Sequence, residues 1–251
     1  MLSKNEAKYI QSLRQKKLRQ EAGQYIAEGP KILFDLLQEK PEEIACIYAT
    51  QKWYDEHTAH ETNFPVKKIE EFELEKISAL EHPQQVLALV KMRPNQFVPF
   101  KNDRWMLMLD GIQDPGNMGS IIRIADWFGI SQIYCSPQTA DCYNNKVVQA
   151  AMGSLWRVNI CYGSLEEWLQ NADLPVYGAM LEGKDILKSG ANLEKGIIVI
   201  GSEGKGISPE LLPHIKTLIT IPRIGKAESL NAAVATGIIL ASVGTGIENP
   251  E

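Results

Sequence analysis

Along the C-terminal three-fifths of the chain, short runs of Ile, Val and Leu alternate with segments whose apolar positions recur at helical spacing. Such runs, separated by helices, are typical of parallel strands that are buried on both faces of a sheet. The pattern therefore predicts an α/β domain built on a parallel sheet. The predicted strands cover residues 105–110, 132–136, 157–162, 175–180, 196–201 and 217–222.

The first part of the chain shows the same alternation on a smaller scale. It begins with a predicted basic helix at Glu6–Arg19, and short strands and helices then follow in turn up to about residue 95. This order favours a small layered α/β domain. Residues 92–104 hold two prolines and show no clear period, as expected of a connecting segment. We predict a first domain at 1–95, a linker at 96–104 and a second domain at 105–251.

Charge is distributed unevenly along the chain. The 251 residues carry a net charge of −5, which does not by itself indicate a nucleic-acid partner. Residues 1–20, however, hold six basic side chains against the single acidic Glu6. A local basic stripe of this kind suits contact with phosphates, and the alternative is a solvated helix face. The basic residues are Lys4, Lys8, Arg14, Lys16, Lys17 and Arg19.

The cysteines and the apolar runs limit the other classes of protein. Cys46, Cys135, Cys142 and Cys161 form no C-x-x-C pair and no tight cluster with histidine. We therefore expect no metal site and four reduced, mostly buried thiols, as in a cytoplasmic protein. The opening segment lacks an apolar core followed by a cleavage site, so we expect no secretory signal. The uncharged run 230–247 is rich in polar and small residues, which favours a buried or interface helix over a membrane span.

A first group of polar and glycine residues follows the strand at 105–110, where ligands bind in open α/β sheets. The segment 109–130 reads LDGIQDPGNMGSIIRIADWFGI, and its turn leads into a helix whose N-terminus can face an anion. Arg123 points away from the apolar face of that helix. It is either a cation aimed at a phosphate or a developing oxyanion, or the partner of Asp126 in a surface ion pair.

A second glycine-rich segment, residues 198–208, reads IVIGSEGKGIS. It lacks the first glycine of G-x-x-x-x-G-K-[ST], and its glycines fall in the reverse of the G-x-G-x-x-G spacing. Binding of a nucleotide phosphate is therefore unsupported. The segment predicts a loop that carries the carboxylate of Glu203, followed by a helix start at Ser208 and Pro209. The alternative is an ordinary glycine-rich turn.

The third segment, residues 219–240, reads ITIPRIGKAESLNAAVATGIIL. It predicts a strand end at Ile221–Pro222, a loop, and a closing helix that begins near Ser229 with Asn231 close to its start. Small residues repeat every four positions on this helix, which allows another helix to approach closely. Packing within one subunit and packing at a dimer interface both remain open. The repeated positions are Ala233, Gly237, Ala241 and Thr245.

Taken together and in this order, the three segments resemble the SpoU (TrmH) family of the SPOUT methyltransferase superfamily. The resemblance rests on the spacing from Asn117 to Arg123, on GSEGKGIS and on IPRIGKAESLNAA, and it covers roughly residues 105–247. It implies a parallel α/β domain whose end threads into a deep trefoil knot. The first domain is similar, more loosely, to that family's ribosomal-protein-like substrate-binding domain.

The resemblance also implies a cofactor, S-adenosylmethionine, and a reaction, transfer of its methyl group to a ribose 2′-hydroxyl of RNA. No metal is required. Backbone and small residues around the knot would hold the cofactor, with Gly201, Ile221 and Leu230 giving main-chain contacts to its adenine end. The implied cofactor residues are Ala179, Met180, Leu181, Gly201, Gly204, Ile221, Pro222, Ile224, Ser229 and Leu230.

By the same motif match, Arg123 corresponds to the family's catalytic arginine. Because an arginine gives up its proton very reluctantly, we interpret it as a cation that orients the adjacent phosphate and lowers the pKa of the hydroxyl. The remaining polar residues of the motifs would orient the reacting groups. They are Asn117, Glu203, Ser229 and Asn231.

The resemblance further implies an RNA partner and a homodimer formed through the helices of the first and third motifs. Lys16, Lys17 and Arg19 would then contact phosphates, which position RNA without reading its sequence. Ribosomal RNA is favoured as the substrate. The alternatives are a tRNA ribose methyltransferase, a non-catalytic RNA-binding member of the fold, a base methyltransferase or an unrelated Rossmann-type enzyme. Which subunit supplies Arg123 to a given site stays open.

Overall fold

The structure is a computed structural model that describes residues 1–57 and 64–244, and within these ranges the chain forms two compact units. The first unit comprises Met1–Pro94 and Asp141–Trp156. The second comprises Asn95–Ala140 and the residues from Arg157 onward. The sequence pattern placed 141–156 in the second domain, whereas the structure groups this segment with the first unit.

The first unit is a mixed sheet with helices packed around it. Its elements before residue 95 are α1 (Lys4–Ser12), α2 (Lys16–Ala22), β1 (Gln24–Glu28), α3 (Pro30–Glu39), β2 (Ile44–Ala49), α4 (Gln51–His57), β3 (Val66–Lys68), α5 (Glu71–Ile77) and β4 (Val86–Lys91). Over the described residues the sheet has the order β1-β4-β2-β3. Strand β4 pairs antiparallel with β1 and β2, and β2 pairs parallel with β3.

The second unit is built on a parallel sheet. The elements from residue 95 onward are β5 (Met106–Asp110), α6 (Pro115–Trp127), β6 (Gln132–Cys135), α7 (Asn145–Ala151, in the first unit), β7 (Asn159–Tyr162), α8 (Leu165–Gln170), β8 (Val176–Asp185), α9 (Ile186–Ser189), β9 (Ile197–Gly201), β10 (Thr217–Thr220) and α10 (Ala232–Ser242). In the part of the chain that the structure describes, the sheet order is β10-β8-β9-β5-β6-β7, and each pairing is parallel. The predicted parallel α/β domain is confirmed.

The predicted basic helix at Glu6–Arg19 is two helices, α1 and α2, separated by a turn at residues 13–15. Helix α1 begins with a capping box, in which Ser3 Oγ accepts from the Glu6 amide at 3.2 Å and Glu6 Oε2 accepts from the Ser3 amide at 3.1 Å. Helix α2 ends at Gly23, whose φ of +61° suits a C-terminal cap. Lys16 and Lys17 are exposed in the first turn of α2.

Arg19 is buried inside the first unit, with an exposed fraction of 1%. Its guanidinium donates to the carbonyls of Leu13 at 2.9 Å and Arg14 at 2.8 Å, and to Asp141 Oδ2 at 2.5 Å. A buried charge needs such a partner, and Asp141 supplies it from the returning segment 141–156. The expectation that Arg19 contacts RNA phosphate is therefore wrong, because its guanidinium is enclosed and neutralised within the protein.

Residues 96–104, predicted to be a linker, pack onto the second unit. The rings of Phe97 and Phe100 lie 5.7 and 4.9 Å from that of Tyr134, and Phe97 lies 5.2 Å from Trp168. The Tyr134 hydroxyl donates to the carbonyl of Val98 at 2.7 Å. These aromatic contacts tie the segment to β6 and α8, so it is an integral part of the unit rather than a free connection.

Two further expectations concern the cysteines and the closing helix. All four cysteines are buried, as predicted. On α10, Ala233 is buried and a Cβ on Gly237 would lie 3.7 Å from Ile124 of α6, so this part of the small-residue stripe packs within the subunit. Thr245 lies outside the described residues.

None of the helices formed by residues 1–57 and 64–244 has the length and apolar character needed to cross a membrane.

Candidate active site

Three segments of the second unit meet at the edge of the sheet where the parallel strands end. They are the first turn of α6, the loop that follows β9 and the N-terminus of α10. Each belongs to one of the three sequence motifs, and each contributes one polar side chain to a shared hydrogen-bond network. The three side chains are those of Asn117, Glu203 and Asn231.

The network runs in one direction through these side chains. Asn231 Oδ1 caps α10 by accepting from the amides of Ala233 at 3.0 Å and Val234 at 3.2 Å. Its Nδ2 donates to Asn117 Oδ1 at 2.7 Å, and Asn117 Nδ2 donates in turn to Glu203 Oε1 at 3.0 Å. The prediction that Asn231 lies at the start of the closing helix is confirmed.

Glu203 lies where the network ends. Its Oε1 also accepts from the amide of Ala232 at 3.1 Å, one of the amides that the N-terminus of α10 leaves free. This arrangement places a carboxylate at a helix N-terminus, where the helix dipole favours negative charge. Oε2 of Glu203 accepts no hydrogen bond from the described residues, so one carboxylate oxygen is free to meet a ligand.

The first turn of α6 positions Asn117. Asp114 is the N-cap, and its Oδ1 accepts from the Asn117 amide at 2.8 Å. Pro115 occupies the first helical position, where a missing N–H costs nothing. Asn117 therefore lies in the first turn, and from there its side chain contacts Glu203 in the loop after β9.

The loop 202–206 presents Glu203 from a tight turn. Ser202 and Gly206 exchange backbone hydrogen bonds of 3.1 and 2.8 Å, and Gly206 has a φ of +69° that favours glycine. A Cβ on Gly201 would lie 2.2 Å from the Gly206 carbonyl carbon, so the loop closes directly against Gly201. The segment is therefore a glycine-rich turn, which was the alternative interpretation of the sequence. The turn also positions the carboxylate of Glu203 in the network.

Arg123 is exposed, and it forms no hydrogen bond or ion pair with the residues that the structure describes. The alternative interpretation, a surface pair with Asp126, is wrong. Asp126 Oδ2 instead accepts from Arg157 Nε at 2.9 Å and from a terminal nitrogen of the same guanidinium at 2.8 Å. On α6, Arg123 lies six residues after Asn117, which turns it about 120° away around the helix axis.

Ser229 is not part of the network. It lies in the irregular segment between β10 and α10, where residues 222–231 are exposed. Helix α10 begins only at Ala232, three residues after the predicted start. The structure thus brings Asn117, Glu203 and Asn231 together and leaves Ser229 and Arg123 outside their contacts.

The proposed cofactor residues lie within or after three strands that are neighbours in the sheet, β10, β8 and β9. Because these strands are parallel, the segments after them lie at the same edge. The pairing of β8 with β10 jumps from Gly178 opposite Leu218 to Lys184 opposite Ile219, so residues 179–183 form a bulge relative to β10, although Ala179 still pairs with Ile200 of β9. Thr220 Oγ1 donates to the carbonyl of Leu181 at 3.0 Å and ties this bulge to the end of β10.

Large apolar side chains are exposed on these segments. Ile224 is fully exposed, Leu181 is 73% exposed and Leu230 is 45% exposed. Met180 is 37% exposed. An apolar surface beside backbone loops is what an adenine ring needs for burial, because rings bind mostly to apolar walls with a few polar contacts.

A cavity of about 690 Å³ opens at the ends of β5, β6 and β9, and Asn117, Glu203 and Ala232 form part of its wall. Asp110, the last residue of β5, is 7% exposed and also lines it. Asp110 is not among the site residues predicted from the sequence. Its position was an available signal, since an acidic residue at the carboxyl end of a buried parallel strand lies at the edge where ligands bind. Among the described residues there is no group of three or more His, Cys, Asp or Glu that could hold a metal.

The parallel sheet and a polar network assembled from three loops at its carboxyl edge define an α/β enzyme domain. Comparison with known families then identifies the class. Residues 104–241 match the SpoU rRNA Methylase family, and residues 4–88 match the MRM3-like substrate binding domain. The chain belongs to the SpoU family of RNA methyltransferases, as the sequence resemblance predicted.

Individual relatives agree with this assignment. The chain is 30% identical over 183 residues to the 23S rRNA (guanosine(2553)-2′-O)-methyltransferase RlmP of Bacillus subtilis, a match covering 72% of this chain and 73% of that protein. A TrmH-family RNA methyltransferase from Porphyromonas gingivalis superposes with a TM-score of 0.85 at 35% identity, over 97% of this chain and 98% of that one. An AdoMet-bound rRNA methyltransferase from Sinorhizobium meliloti gives a TM-score of 0.85 at 30% identity, over 97% and 95%.

Proposed function

We propose that this protein transfers the methyl group of S-adenosylmethionine to a ribose 2′-hydroxyl of ribosomal RNA. The observation that carries the proposal is the network of Asn117, Glu203 and Asn231, which joins all three family motifs at one point. The Bacillus subtilis relative is named as a 2′-O-methyltransferase of 23S rRNA, and the Sinorhizobium meliloti neighbour is described with AdoMet bound. Both descriptions support the same reaction here.

The residues present fit the cofactor. The bulge at 179–181, the tight turn after Gly201 and the exposed segment 221–230 provide backbone groups and apolar side chains at one edge of the sheet. The deep knot implied by the resemblance belongs to this proposal. It is supported by the path of the chain, which leaves β10 at the sheet edge and returns into α10, a helix packed against α6 and β9.

When bound, S-adenosylmethionine supplies an already activated methyl group on a cationic sulfur. The work left to the protein is to align a poorly acidic ribose hydroxyl and to stabilise the negative charge that develops on its oxygen. Asn117 is held rigidly by hydrogen bonds on both sides of its amide, and Glu203 keeps Oε2 free. We assign both to orienting the sugar, with Glu203 Oε2 accepting a hydrogen bond from a ribose hydroxyl.

Arg123 provides the positive charge in this account. Its guanidinium is not engaged by any described residue, and its role is to hold the phosphate beside the target and to favour the developing alkoxide. Because it faces about 120° away from Asn117 on the same helix, we assign it to the site of a second subunit in a homodimer formed through α6 and α10. Trp127, one turn further along α6, is 84% exposed and belongs to the same surface.

RNA would be held by the first unit. Lys16 and Lys17 are exposed on α2, and the chain segment around them matches a substrate-binding domain. Exposed lysines at a helix start give phosphate contacts that depend on salt. Ribosomal RNA is proposed over tRNA on the strength of the relatives' names.

Ribose-methylation mapping of total RNA, with and without the gene, tests the proposal. We expect one 2′-O-methyl position in ribosomal RNA to disappear in the deletion and to return with the wild-type gene. Loss of a position in tRNA would favour the tRNA alternative. An unchanged map would support a non-catalytic RNA-binding protein and contradict the proposal.

A further inference from the structure

The cavity beside the network has the size and position of a second binding site. Its volume of about 690 Å³ falls in the range of small-molecule pockets, roughly 300–1,000 Å³. Asn117 and Glu203 form one wall, so anything bound there lies next to the place where the ribose must be held. The cavity extends from these residues across the ends of β5 and β6, towards the start of α8.

The lining of the cavity is acidic. Among the described residues it includes the carboxylates of Asp110, Glu166 and Glu210, in addition to Asp114 and Glu203, against the single ammonium of Lys205. Asp114 caps α6, Glu203 joins the network and Glu166 Oε1 accepts from Gln170 at 3.5 Å, so these three are partly occupied. An acidic wall disfavours a phosphate, which indicates that the bound group is a neutral part of RNA that carries hydrogen-bond donors.

Asp110 provides a hydrogen-bond acceptor in this wall. The residue is 93% buried, and its Oδ2 accepts from the Ser208 amide at 2.7 Å. Its Oδ1 accepts no hydrogen bond from any residue in the described ranges, although the side chain lines the cavity. This oxygen is therefore available to accept a hydrogen bond from a donor bound in the cavity.

We propose that this cavity receives the target nucleobase, turned out of its stack, and that Asp110 and Glu166 select guanine by accepting from its N1–H and N2 amino group. The inference rests on the proposed function. Enzymes that act on a nucleotide within RNA read a turned-out base along its Watson–Crick edge. Ionised carboxylates can only accept hydrogen bonds, and guanine is the base that presents two adjacent donors on that edge.

Uracil is the base that this wall rejects most strongly. It presents one N–H between two carbonyl oxygens, and those oxygens would face carboxylates. Adenine and cytosine each present an amino group beside a ring nitrogen that is an acceptor. Each can therefore donate to one carboxylate but not to both.

The test begins with the identity of the methylated nucleoside. Ribosomal RNA from the deletion strain is incubated with the purified protein and methyl-labelled S-adenosylmethionine, then digested to nucleosides and separated by chromatography. We expect the label in 2′-O-methylguanosine. Label in another 2′-O-methyl nucleoside overturns the base-reading inference while the proposed function stands. Absence of any labelled ribose overturns both.

The second part of the test replaces the two carboxylates that are proposed to read the base. Asp110→Asn keeps an oxygen for the Ser208 amide and places an NH2 group where the cavity needs an acceptor, and Glu166→Gln changes the other carboxylate at nearly constant shape. Asp103→Asn, at an exposed carboxylate paired with Arg104, is the matched control. We expect at least about a tenfold loss of guanosine methylation for Asp110→Asn, the size of one good base contact, with cofactor affinity and the control unchanged.

Calorimetry with S-adenosylmethionine shows whether each variant is folded around its cofactor site. If Asp110→Asn does not bind the cofactor, the inference is tested with Glu166→Gln alone. A loss of methylation of at least about threefold in Glu166→Gln, with normal cofactor binding, supports the inference. Wild-type methylation of guanosine by the folded variants would show that neither carboxylate reads the base, and would overturn the inference.

Discussion

The side-chain amide of Asn117 donates to Glu203 Oε1 at 3.0 Å, across 86 positions of sequence. This one contact joins the helix that follows the first strand of the sheet to the turn that follows β9. The second face of the same amide accepts from Asn231, so Asn117 is fixed from both sides. Its orientation is therefore set before any ligand arrives, which is the preorganisation that alignment of a weak nucleophile requires.

Asn117→Asp tests the network. The carboxylate keeps the acceptor for Asn231 and replaces the donor to Glu203 with a like charge, which should push Glu203 out of place. We expect methyl transfer to fall by about a hundredfold or more, because a misplaced orienting group of this kind costs that much. Turnover and cofactor affinity are measured together. Equal activity of Asn117→Asp and wild type would show that the contact has no role in catalysis.

Arg123→Ala separates catalysis from stability. Arg123 has no partner among the described residues, so its removal should leave the melting temperature unchanged while abolishing methyl transfer. Asp126→Asn on the same helix should lower the melting temperature, because it breaks the pair with Arg157. It should leave methyl transfer near the wild-type rate. Thermal unfolding and single-turnover methylation provide the two readouts. Retention of wild-type turnover by Arg123→Ala would refute its assignment.

Lys16 and Lys17 are expected to bind RNA without supporting the fold. Changing both to Ala should weaken RNA binding and reduce the slope of log K against log salt by about 1.5, with no change in stability. Arg19→Ala is the contrast, because it leaves Asp141 unpaired in the interior and should cost about 3–5 kcal/mol of stability. Filter binding at several salt concentrations and urea denaturation measure the two effects. An unchanged salt slope would exclude the two lysines from the RNA interface.

Gly201→Ala and Gly204→Ala should differ in stability. An added Cβ at Gly201 would lie 2.2 Å from the Gly206 carbonyl carbon, so the loop must shift, at a cost of about 1–3 kcal/mol. At Gly204 no atom lies within 4 Å of an added Cβ. We expect Gly201→Ala to lower the melting temperature by several degrees and Gly204→Ala to leave it unchanged. Equal melting temperatures for the two variants would contradict the described closure of the loop.

Glu6 should make the first unit sensitive to acid. Hydrogen bonds from Lys67 and from Ser3 lower the pKa of Glu6 from 4.5 to about 2. A carboxyl with a lowered pKa stabilises the fold above its unfolded value, and this contribution is lost as the pH falls from 4.5 towards 2. Glu6→Gln should therefore lower the free energy of unfolding at pH 7, measured by urea denaturation, by about 1 kcal/mol or less for such an exposed pair, and the difference should shrink below pH 4.5.

The double change Glu6→Gln with Lys67→Met provides the control for this prediction. If the pair is the source of the effect, the second change should add little to the first. A constant difference between wild type and Glu6→Gln from pH 7 to pH 3 would show that the carboxylate of Glu6 does not stabilise the fold through its charge.

The sequence predicted the sheet of the second unit because its strands are buried on both faces and read as continuous apolar runs. It also located Asn231 at the start of the last helix. It failed at Ser208 and Pro209, which have the chemistry of a helix start but are followed only by a short 3₁₀ turn at Leu212–His214. There the Ser208 amide bonds to Asp110, so a contact with a distant strand end overrides the local signal.

Long-range ion pairs account for most of what the sequence could not show. Arg19 belongs to a run of basic residues, and only its partner at Asp141, 122 positions away, distinguishes it from its exposed neighbours. Likewise Asp126 has Arg123 at helical spacing but pairs with Arg157, which lies in the turn before β7. No local pattern specifies either choice, since both depend on how distant segments of the chain pack.

Calorimetric titration of the purified protein with S-adenosylmethionine tests the central claim most directly. The bulge at 179–181, the turn after Gly201 and the segment 221–230 are proposed to form one binding site in each chain. We predict saturable binding of one cofactor per chain, retained in Arg123→Ala, with comparable binding of the demethylated product. An absence of measurable affinity for both compounds in the folded protein would contradict the account.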